Sequence, residues 1–387
     1  MSLPNGWKKV KLGDVVKMSS GGTPSKDNAS FWDGDIPWIS ALEMHKNYVE
    51  DAKLNITEEA LKKGSSLAKM NDLLLLTRGS MLWKRIPVCL CLRDVAFNQD
   101  VKCLHTNERL NSTFLLYWFG CMEPKIMHMV VGTGIGAGKL ESSGILDLDV
   151  DLPPIEEQKK IAATLSVWDS AIEKMEKLIE AKDNQKKSLI WKLVENTDAV
   201  RKKKIKIDDL FDEVCEKNHL DADVLTIIQG AGTLRREESG RDIIYDKKSL
   251  SSYKFVKKGD FIIHLRSFEG GLEVANQDGI VSPAYIILHP KIEVSTDYLY
   301  ALFHTNRFIN HTIAPAVEGA RDGRSVKYDA LKKQFINLPT FSEQKYIAKI
   351  ITTAEKELSL LKQQLENYKK QKQGLMQKLL TGQWRVK

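Results

Sequence analysis

The chain has no hydrophobic run long enough to cross a bilayer: its longest aliphatic stretch is Leu73 to Leu76, against the ~20 apolar residues that a membrane helix needs. The opening MSLPNGWKKV has no apolar signal core, so the expectation is a soluble, cytoplasmic protein. Cysteine is scarce as well. Cys89, Cys91, Cys103, Cys121 and Cys215 form an odd set of five with no C-x-x-C pair, which spells out neither a disulfide framework nor a zinc knuckle. They read as reduced, buried packing residues. The eight histidines show no metal-binding spacing. Neither sign of charge dominates, since 58 Lys and Arg against 51 Asp and Glu leave +7, a surplus that permits an anionic partner without demanding one.

Catalytic signatures are missing too. GTGIGAGK, Gly132 to Lys139, fails as a phosphate loop because Thr133 stands where glycine is needed and Leu140 follows the lysine. It reads as a loop ahead of a strand. Asp151, Glu157 and Lys159 imitate a nuclease triad, but Glu157 and Lys159 open a helix behind two prolines. No G-x-S-x-G elbow or Asn-Pro-Pro-Tyr is present. No catalytic residue, metal site or cofactor is assigned.

What is there is a duplication. LPPIEEQKKIAATL at Leu152 returns as LPTFSEQKYIAKII at Leu338, without a gap, at an offset of 186. Gln185, Lys186, Leu189, Lys192 and Leu193 likewise meet Gln371, Lys372, Leu375, Lys378 and Leu379. Weaker echoes precede each copy: KKVKLGDVV at Lys8 resembles KKIKIDDLF at Lys203, and Asp72, apolar run, Arg78 returns as Asp260, apolar run, Arg266. With 387 residues, 42% of them hydrophobic, the chain is too long for one compact core and suits two domains. The reading is residues 1–151 as a first globular domain, 152–196 as a long helix, 197–337 as a second domain and 338–387 as a second helix, with VENTDAVRKKK as the joint.

Pro153 and Pro154 stop the run LDLDVDL, and Glu156 and Glu157 then sit where a helix dipole favours carboxylates. Steps of four and three trace a stripe through Ile161, Leu165, Trp168, Ile172, Met175, Ile179, Leu189 and Leu193, interrupted by Lys182 and Lys186. The second copy gives Ile347, Ile351, Ala354, Leu358, Leu361, Leu365, Tyr368, Leu375 and Leu379, interrupted by Lys372. Sustained over more than four heptads, this is the pattern of a coiled-coil seam about 48 Å long. The alternative is that each stripe docks on its own domain. Mutual packing is favoured, antiparallel, with an approximate two-fold axis. Lys186 and Lys372 read as solvated ends of the coil.

The globular segments mix strand-like runs (IPWIS, DLLLLTRG, IPVCLCL, VKCL, FIIHLR, GIVSPAYIILH) with helical stretches (NSTFLLYWFGCM, STDYLYALFHTNRFI). The fold class is therefore α+β, two mixed domains separated by two long helices. Their polar loops carry Arg, Lys, Asn and Gln, the donors that hold phosphates and read base edges. Candidate DNA contacts are Arg78, Lys84, Arg85 and Lys139 in the first domain, and Arg235, Arg236, Arg266, Arg321 and Arg324 in the second.

Taken together, the duplication, both LP…EQ helix starts, Gly6-Trp7-Lys8 to Leu12-Gly13-Asp14, and GGTPS (Gly21 to Ser25) followed by Ile36-Pro37-Trp38-Ile39 resemble the DNA-specificity subunit of a type I restriction-modification system. The second half departs by lacking a GGTP counterpart and by carrying Phe341-Ser342 for Ile155-Glu156. The resemblance implies two target recognition domains, each reading one part of a split, asymmetric sequence in double-stranded DNA. It implies helices that set the gap and hold two modification (methyltransferase) subunits, which carry the S-adenosylmethionine chemistry. ATP-dependent restriction subunits would join through these, in defence against foreign DNA, and the chain itself would be no enzyme. Two other readings stand beside it: a fused restriction-modification enzyme, which lacks its methyltransferase signature, and a coiled-coil adaptor for proteins that reads no DNA.

Overall fold

Local sequence explains where the chain turns into strand and helix. The structure, a computed structural model, describes residues 3–134, 136–196, 203–239, 247–264, 270–319 and 325–386. It divides into Met1–Glu176 with Gln364–Lys387 (unit 1), and Lys177–Gln363 (unit 2).

Unit 1 runs β1 (Lys8–Lys11), β2 (Val16–Ser20), β3 (Trp32–Ile39), β4 (Tyr48–Val49), β5 (Asn55–Ile56), α1 (Glu58–Gly64), β6 (Ser66–Ala68), β7 (Leu73–Leu76), β8 (Arg78–Gly79), β9 (Val88–Cys91), β10 (Val95–Phe97), β11 (Val101–Thr106), α2 (Ser112–Met127), β12 (Val131–Gly132), β13 (Gly138–Lys139), α3 (Ser142–Leu146), β14 (Asp149–Leu152) and the start of α4 (Ile155–Ile190). The all-leucine β7 is buried on both faces, which suits the centre of the sheet β2-β11-β7-β9-β4. A second sheet, β5-β3-β10-β6, packs Phe31, Trp38, Ile56, Ala60 and Ala96 into a small core of its own. Asn111 caps α2 by accepting from the Phe114 N–H, and residues 114–119 are all buried. Ile161, Ala162 and Leu165 of α4 join the main core, as do Leu379 and Leu380 from the carboxyl end of the chain.

Unit 2 takes in the last turns of α4 and then β15 (Lys203–Lys206), α5 (Ile207–Leu210), β16 (Phe211–Val214), β17 (Leu225–Ile228), β18 (Gly232–Arg235), β19 (Lys254–Val256), β20 (Phe261–Ile263), β21 (Leu272–Val274), β22 (Gly279–Val281), β23 (Ile286–Pro290), α6 (Thr296–Phe303), α7 (Asn306–Phe308), β24 (Val317–Glu318), β25 (Ser325–Val326), α8 (Tyr328–Leu331), β26 (Phe335–Leu338) and the start of α9 (Phe341–Leu380). Its main sheet, β16-β23-β20-β21, repeats the order β2-β11-β7-β9 of unit 1, and the pair β15-β26 repeats β1-β14. The α9 residues Ile347, Ala348 and Ile351 join the unit 2 core with Val194, just past α4.

The sheets and helices thus carry the expected α+β content, and α4 and α9 begin at the offset of 186 seen in the sequence. Each unit is completed by part of both long helices. The 194–204 joint falls partly outside the described residues, 197–202 being undescribed. The cysteines differ from expectation at Cys215. Cys89, Cys91 and Cys103 are buried, Cys121 is half-buried and Cys215 is exposed, because Cys215 follows the last residue of the edge strand β16. Burial pushes the thiols of Cys89 and Cys103 up to about 12, which makes them poor nucleophiles.

Candidate nucleic-acid interface

The glycine-rich stretch is a hairpin rather than a plain loop. β12 and β13 pair through Val131↔Lys139 and Gly132↔Gly138, and β13 pairs in turn with β8 through Lys139↔Arg78. Glycine is required at 138, where a Cβ would lie 2.7 Å from a Val130 methyl and 3.1 Å from the Leu82 Cβ. Directly paired residues share a face, so Arg78 and Lys139 stand side by side on a three-stranded ribbon. Trp83, 49% exposed, donates its indole N–H to the Gly136 carbonyl at 3.0 Å and fastens the hairpin tip. Exposed Lys84 follows it. Lys139 pairs with Glu141 at 2.7 Å, both half-exposed, a pair that competing phosphates can open cheaply.

Arg85 is used differently from its neighbours. Its guanidinium donates to the main-chain carbonyls of Met44 and His45, holding a turn in place. In unit 2, Arg235 ends β18 and pairs with Asp223 at 2.9 Å, while Arg236 is half-buried at the next position. Arg266, Arg321 and Arg324 lie outside the described residues.

GGTPS and IPWIS, separated only by residues 26–35, form one structure. Trp38 donates to the Gly22 carbonyl at 3.0 Å and Trp32 to that of Ser25 at 3.1 Å, with the two indoles edge to face at 5.5 Å. A Cβ on Gly21 would lie 2.2 Å from the Phe97 carbonyl oxygen, so only glycine permits the approach. Thr23 donates to Gln99 at 2.5 Å. Lys26 stands exposed on this pinned loop.

The repeated EQ motif has a structural use that the sequence did not assign. Gln158, fully buried, donates to the carbonyls of Pro153 and Arg109 and accepts from the Asn111 N–H, at 2.8–2.9 Å. Gln344 donates to Pro339 and accepts from the Ser295 N–H, both at 3.0 Å. Asn111 and Ser295 are the caps of α2 and α6, so each glutamine ties a long helix to the capped helix of its unit. Two repeated aspartates behave likewise. Buried Asp72 and Asp260 hold the turn before a central strand, accepting from Lys69 N–H and Lys257 N–H at 2.8 Å. They also bond His105 and His289 at 2.6 and 2.7 Å. The triad imitation is dispersed: Asp151 pairs with Lys9, Lys159 with Glu156, and Glu157 with Trp7 and Arg385. Among the described residues no group of three or more His, Cys, Asp or Glu is placed to hold a metal.

In unit 2 the turn between β17 and β18 is held by buried Glu273, which accepts from the N–H groups of Gly230 and Gly232 at 2.7 and 3.0 Å and from His304 at 3.2 Å. Burial works against charge on both partners. The His304 hydrogen bond and the two glycine N–H groups nonetheless hold the Glu273 carboxyl below its ordinary range, and Glu273 with the Tyr300 carbonyl raises His304.

On the long helices, every residue of the sequence-derived stripes is buried or half-buried, from Ile161 to Leu193 and from Ile347 to Leu379. Off-stripe Val167, Leu178, Tyr346 and Leu360 are exposed. Within unit 1, Trp168 meets Tyr368 edge to face at 5.9 Å and Glu176 pairs with Lys369 at 2.9 Å. Within unit 2, Lys182 pairs with Glu357 at 2.6 Å. Lys372 departs from the solvated lysine expected: its side chain is 15% exposed and bonded to Asp169. The two partners lie 203 positions apart, so no local pattern could announce the pair.

Comparison with known proteins places this architecture in a class. The sequence model described as the type I restriction modification DNA specificity domain matches residues 4–183, and the chain is similar to type I restriction enzyme specificity subunits. It is 31% identical over 166 residues to the EcoR124I/EcoR124II specificity subunit of Escherichia coli, spanning 42% of this chain and 41% of that one. The MjaVIII specificity subunit of Methanocaldococcus jannaschii is 24% identical over 418 aligned residues, covering 100% of this chain and 95% of the relative. Among solved structures, the type I S subunit from M. genitalium superposes with a TM-score of 0.58 at 16% identity, over 98% of both chains. A chain from a study of complex assembly and conformational transition in the type I R-M system reaches 0.63 at 16% identity, over 99% of this chain and 100% of that one. These two likenesses establish the fold.

Proposed function

We propose that this chain is the non-catalytic, sequence-reading subunit of a type I restriction-modification complex, in which each recognition segment (1–151 and 197–337) reads one half of a bipartite DNA target. The observation that carries this reading is the DNA specificity match over residues 4–183 in a chain whose second unit repeats the strand order of the first. In unit 1 the reading surface is the ribbon of Arg78 and Lys139 with Trp83 and Lys84, since arginine and lysine supply phosphate and base-edge donors. Arg235 and Arg236, with Arg266, Arg321 and Arg324, are the proposed contacts of the second segment. Arg85 serves the first by supporting its 44–45 turn.

The long helices α4 and α9, residues 152–196 and 338–387 with their flanks, form an antiparallel coiled coil that relates the halves by an approximate two-fold axis and fixes the unread gap. Support comes from the side-chain pairs inside each unit: as α4 advances from Asp169 to Glu176 to Lys182, its partners in α9 step back from Lys372 to Lys369 to Glu357. Two modification subunits dock on the outer faces. The exposed apolar side chains favour this, as does a shallow groove of about 470 Å³ lined by Ser166, Val167, Ser170, Ala171 and Lys174. Restriction subunits join through them, in the cytoplasm. Among the described residues no helix is long and apolar enough to cross a membrane.

Replacing residues 8 to 150 by the corresponding segment of another specificity subunit, and mapping methylation in cells carrying the modification partner, tests the reading. One half of the methylated sequence is expected to change while the other half and the gap persist. Alteration of both halves would refute modular reading. A complex that retards no genomic fragment in a gel would favour a protein adaptor instead.

A further inference from the structure

A polar cluster interrupts the apolar contact between the long helices inside unit 1. The Lys372 ammonium on α9 bonds Asp169 on α4, and the two side chains are only 15% and 21% exposed. Asp169 also accepts from the Tyr117 hydroxyl at 2.7 Å, while the Ser166 hydroxyl lies 3.1 Å and the Tyr48 hydroxyl 3.4 Å from that of Tyr117. The Lys372 ammonium lies 5.2 Å from the centre of the Tyr117 ring. Tyr117 belongs to α2 of the recognition segment. Three elements therefore converge on one carboxylate: the two long helices and α2, which packs in the main core of unit 1.

Apart from the edge-to-face contact of Trp168 with Tyr368, the surrounding stripe specifies register only weakly. Leu165 and Ile172 on α4, and Leu365 and Leu375 on α9, are apolar residues of similar volume, and such contacts tolerate small displacements. A mostly buried ammonium tolerates none, because displacement sets it against leucine or isoleucine and leaves the carboxylate unpaired. Single polar positions of this kind specify register in coiled coils at some cost in stability. A one-turn displacement moves a helix about 5.4 Å, more than the ~3.4 Å rise of a base pair, so register is legible in DNA spacing.

We propose that Asp169, Lys372 and Tyr117 are positioning residues that lock the helix pair and the first recognition segment in one register, and so restrict reading to a single gap length between the half-sites. The inference rests on the ruler reading above and adds to it the residues that make the ruler exact to one base pair.

The test uses the full chain assembled with its modification partner, on a DNA library holding both half-sites with gaps from two base pairs shorter to two longer than the native one. The wild type is expected to methylate one gap length. The double variant Asp169→Leu/Lys372→Met, which removes both charges at similar volume, is expected to methylate neighbouring gaps at about a tenth of the native-gap rate or faster. Tyr117→Phe, which keeps the ring and loses the hydroxyl bond, is expected to widen the gap preference less. Ile161→Val, a purely apolar loss in the same core, is expected to lower the melting temperature without widening it. A strict native gap in the double variant overturns the proposal. Should the double variant fail to assemble, a strict gap in Tyr117→Phe overturns it equally. Four residues inserted at Lys182 together with four at Glu357 separate the two levels: a gap unmoved by the insertions refutes the ruler itself, whereas a moved gap with a strict double variant refutes the lock alone.

Discussion

Replacing Gln158, a fully buried side chain, by alanine removes three hydrogen bonds in one step, to Pro153, Arg109 and Asn111. A net worth of about 1 kcal/mol each gives a local cost of about 3 kcal/mol, with the Asn111 N–H left facing protein without an acceptor. Gln344→Ala removes two such bonds, about 2 kcal/mol by the same reckoning. The cost falls where a long helix is tied to a capped helix, so it should appear as local opening rather than uniform loosening. Hydrogen exchange with mass spectrometry on the full chain reads this directly. Exchange of the peptide over residues 111–119 should accelerate roughly 100-fold in Gln158→Ala, and of residues 295–303 roughly 30-fold in Gln344→Ala, each leaving the other unit unchanged. Unchanged protection at both peptides would refute the role assigned to the repeated motif. Acceleration spread evenly over both units would show that the ties are not local.

The ribbon predicts a division among the basic residues of unit 1. Arg78→Ala and Lys139→Ala should each reduce the slope of log affinity against log salt by about 0.9, measured by fluorescence anisotropy of the assembled complex on its target DNA. Arg85→Ala should leave that slope unchanged and lower thermal stability by about 1–3 kcal/mol, because it strips two carbonyls of their donor. A slope change in Arg85→Ala would place it on the DNA instead. In unit 2 the His304–Glu273 pair should impose a pH window. The raised His304 contributes stability that is complete below its ordinary 6.5 and lost as pH climbs through its folded value. The lowered Glu273 contributes above its ordinary 4.5 and fails as pH falls through its folded value. The melting difference between wild type and His304→Asn should therefore be largest between those two values and shrink above the upper one. A difference that is flat with pH would show that the pair carries no linked charge.

Much of this architecture could be read from local pattern. Leu73 to Leu76 announced a strand, and the structure places it at the centre of its sheet, where a run apolar on both faces is covered on both. NSTFLLYWFGCM became α2, with Asn111 as its cap. The gapless offset between the LP…EQ copies located both long helices, and the stripe chosen by steps of four and three separated half-buried Ile172 from exposed Val167. Other features were illegible for identifiable reasons. Glycines carry no side-chain period, so the hairpin at Gly132 to Lys139 could be recognised only from its pairing with Arg78, more than fifty positions earlier. Arg85 and Arg78 are the same residue type seven positions apart, yet one guanidinium meets carbonyls and the other solvent. Lys372 looked like a solvated interruption because nothing nearby in the chain could neutralise it.

By itself the sequence determined the duplication, the two long amphipathic helices and the α+β character of what lies between them, because periodicity and helix punctuation are short-range and survive translation from chain to backbone. Tertiary structure alone decided which charges are used internally and which face outward. A salt bridge or a buried carboxylate depends on partners brought together from distant positions, and the desolvation of an ion is a property of its surroundings rather than of its neighbours in sequence.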